Sequence, residues 1–228
     1  MILRNGRIYL SKLFYKKILK LDYLEIKKIL PKGVNLLAVS KGFQSSDIEY
    51  IQSLGQIDFG ESKVQEAILK PVFSCNNNLN WHFIGRIQTN KIRKIVENFD
   101  FIHSVDSYKK LLKISQVAIE LQKIPKVFIQ IKLADDPGKA GLLYSELIAN
   151  WDQIKQIKGI LLIGLMTINP KGLNAEQNFQ LFNKCRLIAD KLELPHCSMG
   201  MSNDWEEAIK AGSTWIRLGS LIFGRRDS

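Results

Sequence analysis

Eight short apolar runs, near 35–41, 57–61, 80–85, 100–105, 126–132, 159–167, 195–199 and 215–219, alternate with stretches of helical character. The helical stretches lie near 46–54, 62–73, 89–98, 107–122, 142–156, 174–191 and 203–211, with a short last one after 220. This alternation restricts the chain to very few folds. Regular βα order implies parallel strands joined by helical crossovers, and eight such units close into a (β/α)8 barrel. The usual range of ~200 to over 400 residues for that barrel includes the 228 residues present. An open doubly wound sheet is the main competitor, but no GxGxxG follows the first strand. The expected fold is therefore α/β, a single (β/α)8 TIM-type barrel over residues 22–228 with an additional N-terminal helix. Closure places the eighth strand beside the first. Trp215, Arg217 and Gly219 then share one face of the last strand, and if that face points inward, Arg217 and Lys41 share the C-terminal mouth.

The first 21 residues stand apart. No acidic residue occurs from Met1 to Lys20, while Arg4, Arg7, Lys12, Lys16, Lys17 and Lys20 alternate with Ile, Leu, Phe and Tyr. A secretory signal requires an unbroken apolar centre of ~7 to 15 residues, and Lys12 and Lys16-Lys17 interrupt every candidate. We expect a basic extension or the start of a helix that runs onward through Leu21, Leu24, Ile26, Ile29 and Leu30, with Ile26 blurring its apolar stripe. Pro31-Lys32-Gly33 ends it. No run reaches the ~20 apolar residues of a membrane span. The net charge of +11 is scattered among acidic residues and lacks aromatic-basic interleaving, so a nucleic-acid partner is not expected. Cys75, Cys185 and Cys197 show no metal-like spacing, and free thiols in a reducing cytoplasm are expected, with no metal site.

Lys41 ends the apolar run Leu36-Leu37-Ala38-Val39-Ser40. Alternation aligns it with Leu37 and Val39, toward the core, where desolvation favours the neutral amine that attacks an aldehyde to form a Schiff base. On strand-end geometry alone a solvent-facing Lys is the commoner outcome. The far end of the chain favours the reactive one. Ser202, Gly219 and Ser220 stand at the exits of strands seven and eight, where barrels commonly bind phosphate through backbone N–H groups and hydroxyls. For Ser202 and Asn203, ordinary helix capping is the plainer role. For Arg217 it is a buried ion pair, although strand eight carries no carboxylate. A Schiff-base Lys, an inward Arg and a phosphate cup at one mouth suit pyridoxal 5′-phosphate. His82 reads as a hydrogen-bonded core His. His103 and Asp106 bracket a strand exit without a recognised nucleophile. Gly138-Lys139 fails as a P-loop, because Leu133 replaces the first Gly and Ala140 cannot serve magnesium.

The segments Ala38-Val39-Ser40-Lys41, Phe59-Gly60-Glu61, Trp81-His82-Phe83-Ile84-Gly85, His103-Ser104-Val105-Asp106, Gly164-Leu165-Met166-Thr167, Ser198-Met199-Gly200-Met201-Ser202 and Arg217-Leu218-Gly219 resemble, in order, those of the pyridoxal phosphate homeostasis proteins. The resemblance implies a barrel like the N-terminal domain of alanine racemase, with cofactor on Lys41, Arg217 at the ring nitrogen, and Ser202, Gly219 and Ser220 around the phosphate. Ser62 and Met201 complete the implied cofactor contacts. Ser62 stands where the family usually has Asn, and Ala140 where it usually has Ser. The implied function is non-enzymatic: a monomeric cytoplasmic protein that holds pyridoxal phosphate and supplies it to apo-enzymes. A pyridoxal-phosphate-dependent amino-acid racemase is the alternative. With the chain ending at Ser228, soon after strand eight, we expect no second domain to supply the second base that racemisation requires.

Overall fold

A computed structural model describes residues 2–4, 7–9, 22–75, 78–136 and 138–224. Its barrel strands are β1 (Asn35–Val39), β2 (Asp58–Glu61), β3 (Asn80–Phe83), β4 (Phe101–Val105), β5 (Lys126–Lys132), β6 (Leu161–Met166), β7 (His196–Ser198) and β8 (Trp215–Leu218). They pair in the order β4-β3-β2-β1-β8-β7-β6-β5, and β5 returns to β4. Every pairing in this circuit is parallel. The expected closed barrel is thus present. Its seam joins the chain's distant ends, with Leu36 opposite Ile216 and Leu37 opposite Arg217.

Both faces of these strands are buried, which is why their sequences read as almost continuous apolar runs. Leu37, Phe101, Phe128, Ile163, Met166 and Trp215 pack together inside the barrel. Their sequence neighbours Leu36, Ala38, Ile102, Val127, Leu165 and Ile216 belong to a second layer, which includes Phe182 and Ile188 of the long helix Ala175–Lys191. Gly164 marks how closely the wall is built. A Cβ there would lie 2.1 Å from the His196 carbonyl oxygen on β7 and 2.9 Å from Phe128 Cε1. Gly164→Ala must therefore spread β6 from β7, and overpacking of this kind costs about 1–3 kcal/mol. We expect the urea midpoint to fall with an unchanged slope; an unshifted midpoint would show that the wall yields freely.

Several helical expectations are corrected. The stretch near 62–73 is two short helices, Val64–Ile68 and Pro71–Cys75, because Pro71 has no N–H to continue the first and suits the first turn of the second. The stretch near 142–156 opens as a two-residue strand, Leu142–Leu143, beside the end of β5, before Tyr144–Ala149 and Trp151–Ile154. Gly141, at φ 147°, makes that approach possible: a Cβ there would lie 2.8 Å from Ile131 backbone. The N-terminal helix at 22–29 is present, but its buried face was misassigned. Tyr23 and Ile26 face the core while Leu24 and Ile29 are exposed. Ile26 is the anchor of the helix and not its defect.

Of the basic extension, Ile2–Arg4 pairs antiparallel with Arg7–Tyr9; the helix start expected before residue 22 lies outside the described residues. Among the described residues no helix is long and apolar enough to cross a membrane, and no cluster of metal-ligating side chains occurs. Cys185 and Cys197 are free and buried.

Candidate functional site

β1 ends at Val39, two residues earlier than its apolar pattern suggests, and Lys41 sits half-buried in the following turn, where Gly42 has φ 77°. Lys41 is therefore a turn residue at the strand exit. Its register is still set by the strand. Val39 pairs with Gly60, and Ser40 N–H donates to the Gly60 carbonyl at 3.0 Å, which brings the turn holding Lys41 level with Ser62. On the other side Gly219 lies against Val39: a Cβ on Gly219 would come within 3.4 Å of the Val39 carbonyl oxygen. The Ser220 hydroxyl donates to the Ser202 hydroxyl at 3.0 Å. Arg217 N–H bonds the Gly200 carbonyl at 3.0 Å, which fixes the Met201-Ser202 loop beside β8. Six of the seven expected contact residues thus leave four consecutive strands, β2-β1-β8-β7, at one end of the barrel, and the seventh, Arg217, lies within β8.

Beneath this rim Arg217 is buried, as expected for an inward face. Its Nη1 donates to Ser198 Oγ at 2.8 Å and its Nη2 to the Thr167 carbonyl at 3.0 Å. Burial pulls the guanidinium down to about 10, opposed by the nearby Asp204 carboxylate, so it remains protonated at neutral pH. Asp204, in the loop after β7, acts on Arg217 through its charge. Asp204 Oδ1 also accepts the Met201 N–H at 2.6 Å, and burial raises its pKa.

The base of the Lys41 turn is held by a buried ionic cluster that sequence reasoning missed. Glu61, fully buried at the end of β2, accepts from Lys70 Nζ at 2.5 Å and from Ser40 Oγ at 2.7 Å. Lys70 Nζ also donates to the Ser40 carbonyl at 2.9 Å. Burial raises the Glu61 pKa, against the lowering effects of Lys70 and Ser40. Glu61 Oε2 has no hydrogen-bond partner. Both ends of the Ser40 residue are therefore clamped immediately before Lys41.

His82 is the hydrogen-bonded core His expected, at 3.1 Å from Asp58 Oδ1 and 2.9 Å from His103 Nε2. His103 and Asp106, which bracket the exit of β4, have separate partners. His103 Nδ1 lies 2.8 Å from Ser198 Oγ, and Asp106 pairs with Lys110 at 2.7 Å. An Asp–His–Ser series invites comparison with a nucleophilic triad, but Ser198 is fully buried and receives the Arg217 donor, so no substrate carbonyl can reach it. The inward phase of β2, β3, β4 and β7 carries Asp58, His82, His103 and Ser198. That shared phase was the available sequence signal. In the 134–141 loop, Gly138 N–H donates to Asp136 Oδ1 at 2.9 Å, an Asx turn that fits the rejected P-loop.

Residues 19–227 match the family described as alanine racemase, N-terminal domain. A pyridoxal phosphate homeostasis protein from Synechocystis sp. is 44% identical over 211 residues, covering 90% of this chain and 97% of that protein. The chain belongs to the pyridoxal phosphate homeostasis family. Its Escherichia coli K12 relative of the same name is 35% identical over 206 residues, covering 86% of this chain and 88% of that one. PipY of Synechococcus elongatus, solved with pyridoxal phosphate bound, superposes with a TM-score of 0.86 at 39% identity, covering 91% of this chain and all of PipY. Alanine racemase from Clostridium difficile shares the fold alone, at 16% identity and a TM-score of 0.74, and this chain spans 58% of it. The resemblance read from the motifs of this homeostasis-family chain is therefore correct, as is the barrel it implied.

Proposed function

We propose that this protein binds pyridoxal 5′-phosphate through Lys41 and holds it, without catalysis, for delivery to apo-enzymes. The observation that carries this reading is the convergence of Lys41, Arg217 and the Ser202–Ser220 hydroxyl pair at one end of three adjacent strands, β1, β8 and β7. The residues fit the ligand. Gly219 leaves open the space a side chain would fill, and Ser202 and Ser220 present two hydroxyls at one point of the rim. When bound, the cofactor supplies an aldehyde that an amine captures covalently and a phosphate that needs donors. Lys41 provides the amine. Ser202, Ser220 and the backbone around Met201 and Gly219 surround the phosphate, while the protonated Arg217 donates toward the ring nitrogen. Ser62 offers one hydroxyl at the rim opposite Gly219. It does less than an amide with two donors.

The homeostasis names of the relatives, and the bound cofactor in PipY, support holding over turnover. We place the protein in the cytoplasm as a monomer. The direct experiment is an absorbance spectrum of protein loaded with pyridoxal phosphate, followed by borohydride reduction and peptide mapping. A yellow band fixed onto the Lys41 peptide is expected; label on any other peptide overturns the reading.

Ser202→Ala combined with Ser220→Ala is expected to weaken pyridoxal phosphate far more than pyridoxal. Hydrogen bonds to charged groups contribute about 1.5–3 kcal/mol each, against about 0.5–1.5 for neutral ones. Titration of both ligands checks this, and equal weakening would place the phosphate elsewhere.

Loaded protein incubated with L-alanine in deuterated water should give at most slow α-deuteration and no useful rate of D-alanine. Racemisation wants an acid-base group on each face of the substrate, and Lys41 serves one. Rapid, Lys41-dependent D-alanine would instead establish the racemase reading.

A further inference from the structure

Five side chains are bonded end to end through the barrel interior: Arg217, Ser198, His103, His82 and Asp58. Elementary chemistry fixes their direction. A carboxylate only accepts, so His82 donates from Nε2 to Asp58 Oδ1 at 3.1 Å, and in the neutral ring its Nδ1 is an acceptor. His103 therefore donates from Nε2 to His82 Nδ1 at 2.9 Å, which leaves His103 Nδ1 to accept the Ser198 hydroxyl proton at 2.8 Å. Ser198 Oγ in turn accepts from Arg217 Nη1, also at 2.8 Å, because a guanidinium only donates. Burial lowers the pKa of both imidazoles and keeps them neutral, as the series requires. Their ring planes are held by stacking, His82 on Phe101 at 4.0 Å and His103 on Phe128 at 4.3 Å.

We propose that this one-way series of donors is the positioning device for Arg217, tying the guanidinium near the ligand to the Asp58 carboxylate at the opposite end of the barrel. A buried cation needs compensation. The Asp204 carboxylate supplies part of it through its charge, while the groups bonded directly to Arg217 are neutral: a hydroxyl and a carbonyl. Asp58 adds to this from the far end of the series, through bonds that polarise one another. It is itself anchored by Asn80 Nδ2 at 2.9 Å, and its side chain keeps 16% of its exposure. His82, His103 and Ser198 are fully buried in the barrel interior. Their role is to hold the rotamer and the proton of Arg217.

This inference rests on the reading that Arg217 faces the cofactor's ring nitrogen, and two measurements separate the two. Nitrogen-15 NMR of the ligand-free protein reads the series directly: both His82 and His103 should be neutral with the proton on Nε2, and an Nδ1–H tautomer at either overturns the proposal. Binding of pyridoxal phosphate and of its 1-deaza analogue, in which a C–H replaces the ring nitrogen, reads the consequence. Ser198→Ala, checked for an intact thermal transition, should weaken pyridoxal phosphate roughly tenfold, about one hydrogen bond to a charged group, and leave the deaza analogue unchanged. Ser198→Thr, which keeps the hydroxyl, should restore the difference. Equal loss for both ligands, or for neither, sinks the positioning role. Failure of the unsubstituted protein to attach pyridoxal phosphate would instead sink the functional reading, with the tautomers still reporting on the series.

Discussion

Lys41→Ala is expected to remove all borohydride-fixable cofactor while the barrel stays folded. Lys41 lies in the turn after β1 and belongs to neither hydrophobic layer, so its amine contributes little to the core. Substitutions outside buried features usually change stability by less than about 0.5 kcal/mol. The phosphate contacts would remain, and a weak, freely dialysable association should persist. A difference spectrum before and after dialysis, together with a thermal melt, checks both halves. Retention of a reducible yellow band would place the reactive amine on another residue, and a collapsed melt would show that the turn itself holds the barrel closed.

Lys70→Met should be the most destabilising change near the site. Removing one partner of a buried ion pair costs about 3–5 kcal/mol, because the other charge is left uncompensated. Here the survivor is Glu61, which is fully buried and whose Oε2 is already without a partner. The cost is pH-dependent with a definite sign. Burial puts the folded pKa of Glu61 above its ordinary value, so its contribution favours folding at low pH and is lost as pH rises through that folded pKa. Without Lys70, which lowers it, the folded pKa climbs further. The variant should therefore fall further behind the parent protein at pH 8 than at pH 5. Urea titrations at both values test this, and a pH-independent difference would mean that Glu61 remains ionised through another contact. Pairing the change with Glu61→Leu should recover much of the loss, since two apolar residues can replace a buried ion pair at little cost.

How legible the fold was follows from which residues needed partners. The eight strands were readable because each is short, largely buried on both faces and set off by helical stretches, and the meeting of Arg217 with the Lys41 exit followed from closure alone. Lys41 itself was placed at the end of a strand that stops two residues earlier, at Val39, since alternation carries no signal for where Gly42 begins a turn. Ile26 was discounted because the helical stripe was phased on Leu24 and Ile29, which only the docked helix reveals as exposed. Lys70 was invisible for a different reason. Its pairing with Glu61 depends on the break at Pro71 that turns one helix into two. Ser198, His103 and Asp58 each sat in the right phase, but polar residues on separate strands reveal a shared line only once the strand order and stagger are known.

The seam between β8 and β1 has a consequence for when the protein becomes competent. Leu37 meets Arg217 only when nearly the whole chain is available, so the proposed site has a very high contact order and is among the last features loop-closure entropy allows to form. A nascent chain still lacking β8 would carry Lys41 with neither the guanidinium nor the hydroxyl pair beside it. On the proposed reading, aldehyde capture at Lys41 would follow barrel closure. Ligand held across the seam would bind the closed state alone and so stabilise the join by mass action. Loading of this protein would then act as a clasp on its own topology, strongest where the first and last barrel strands come together.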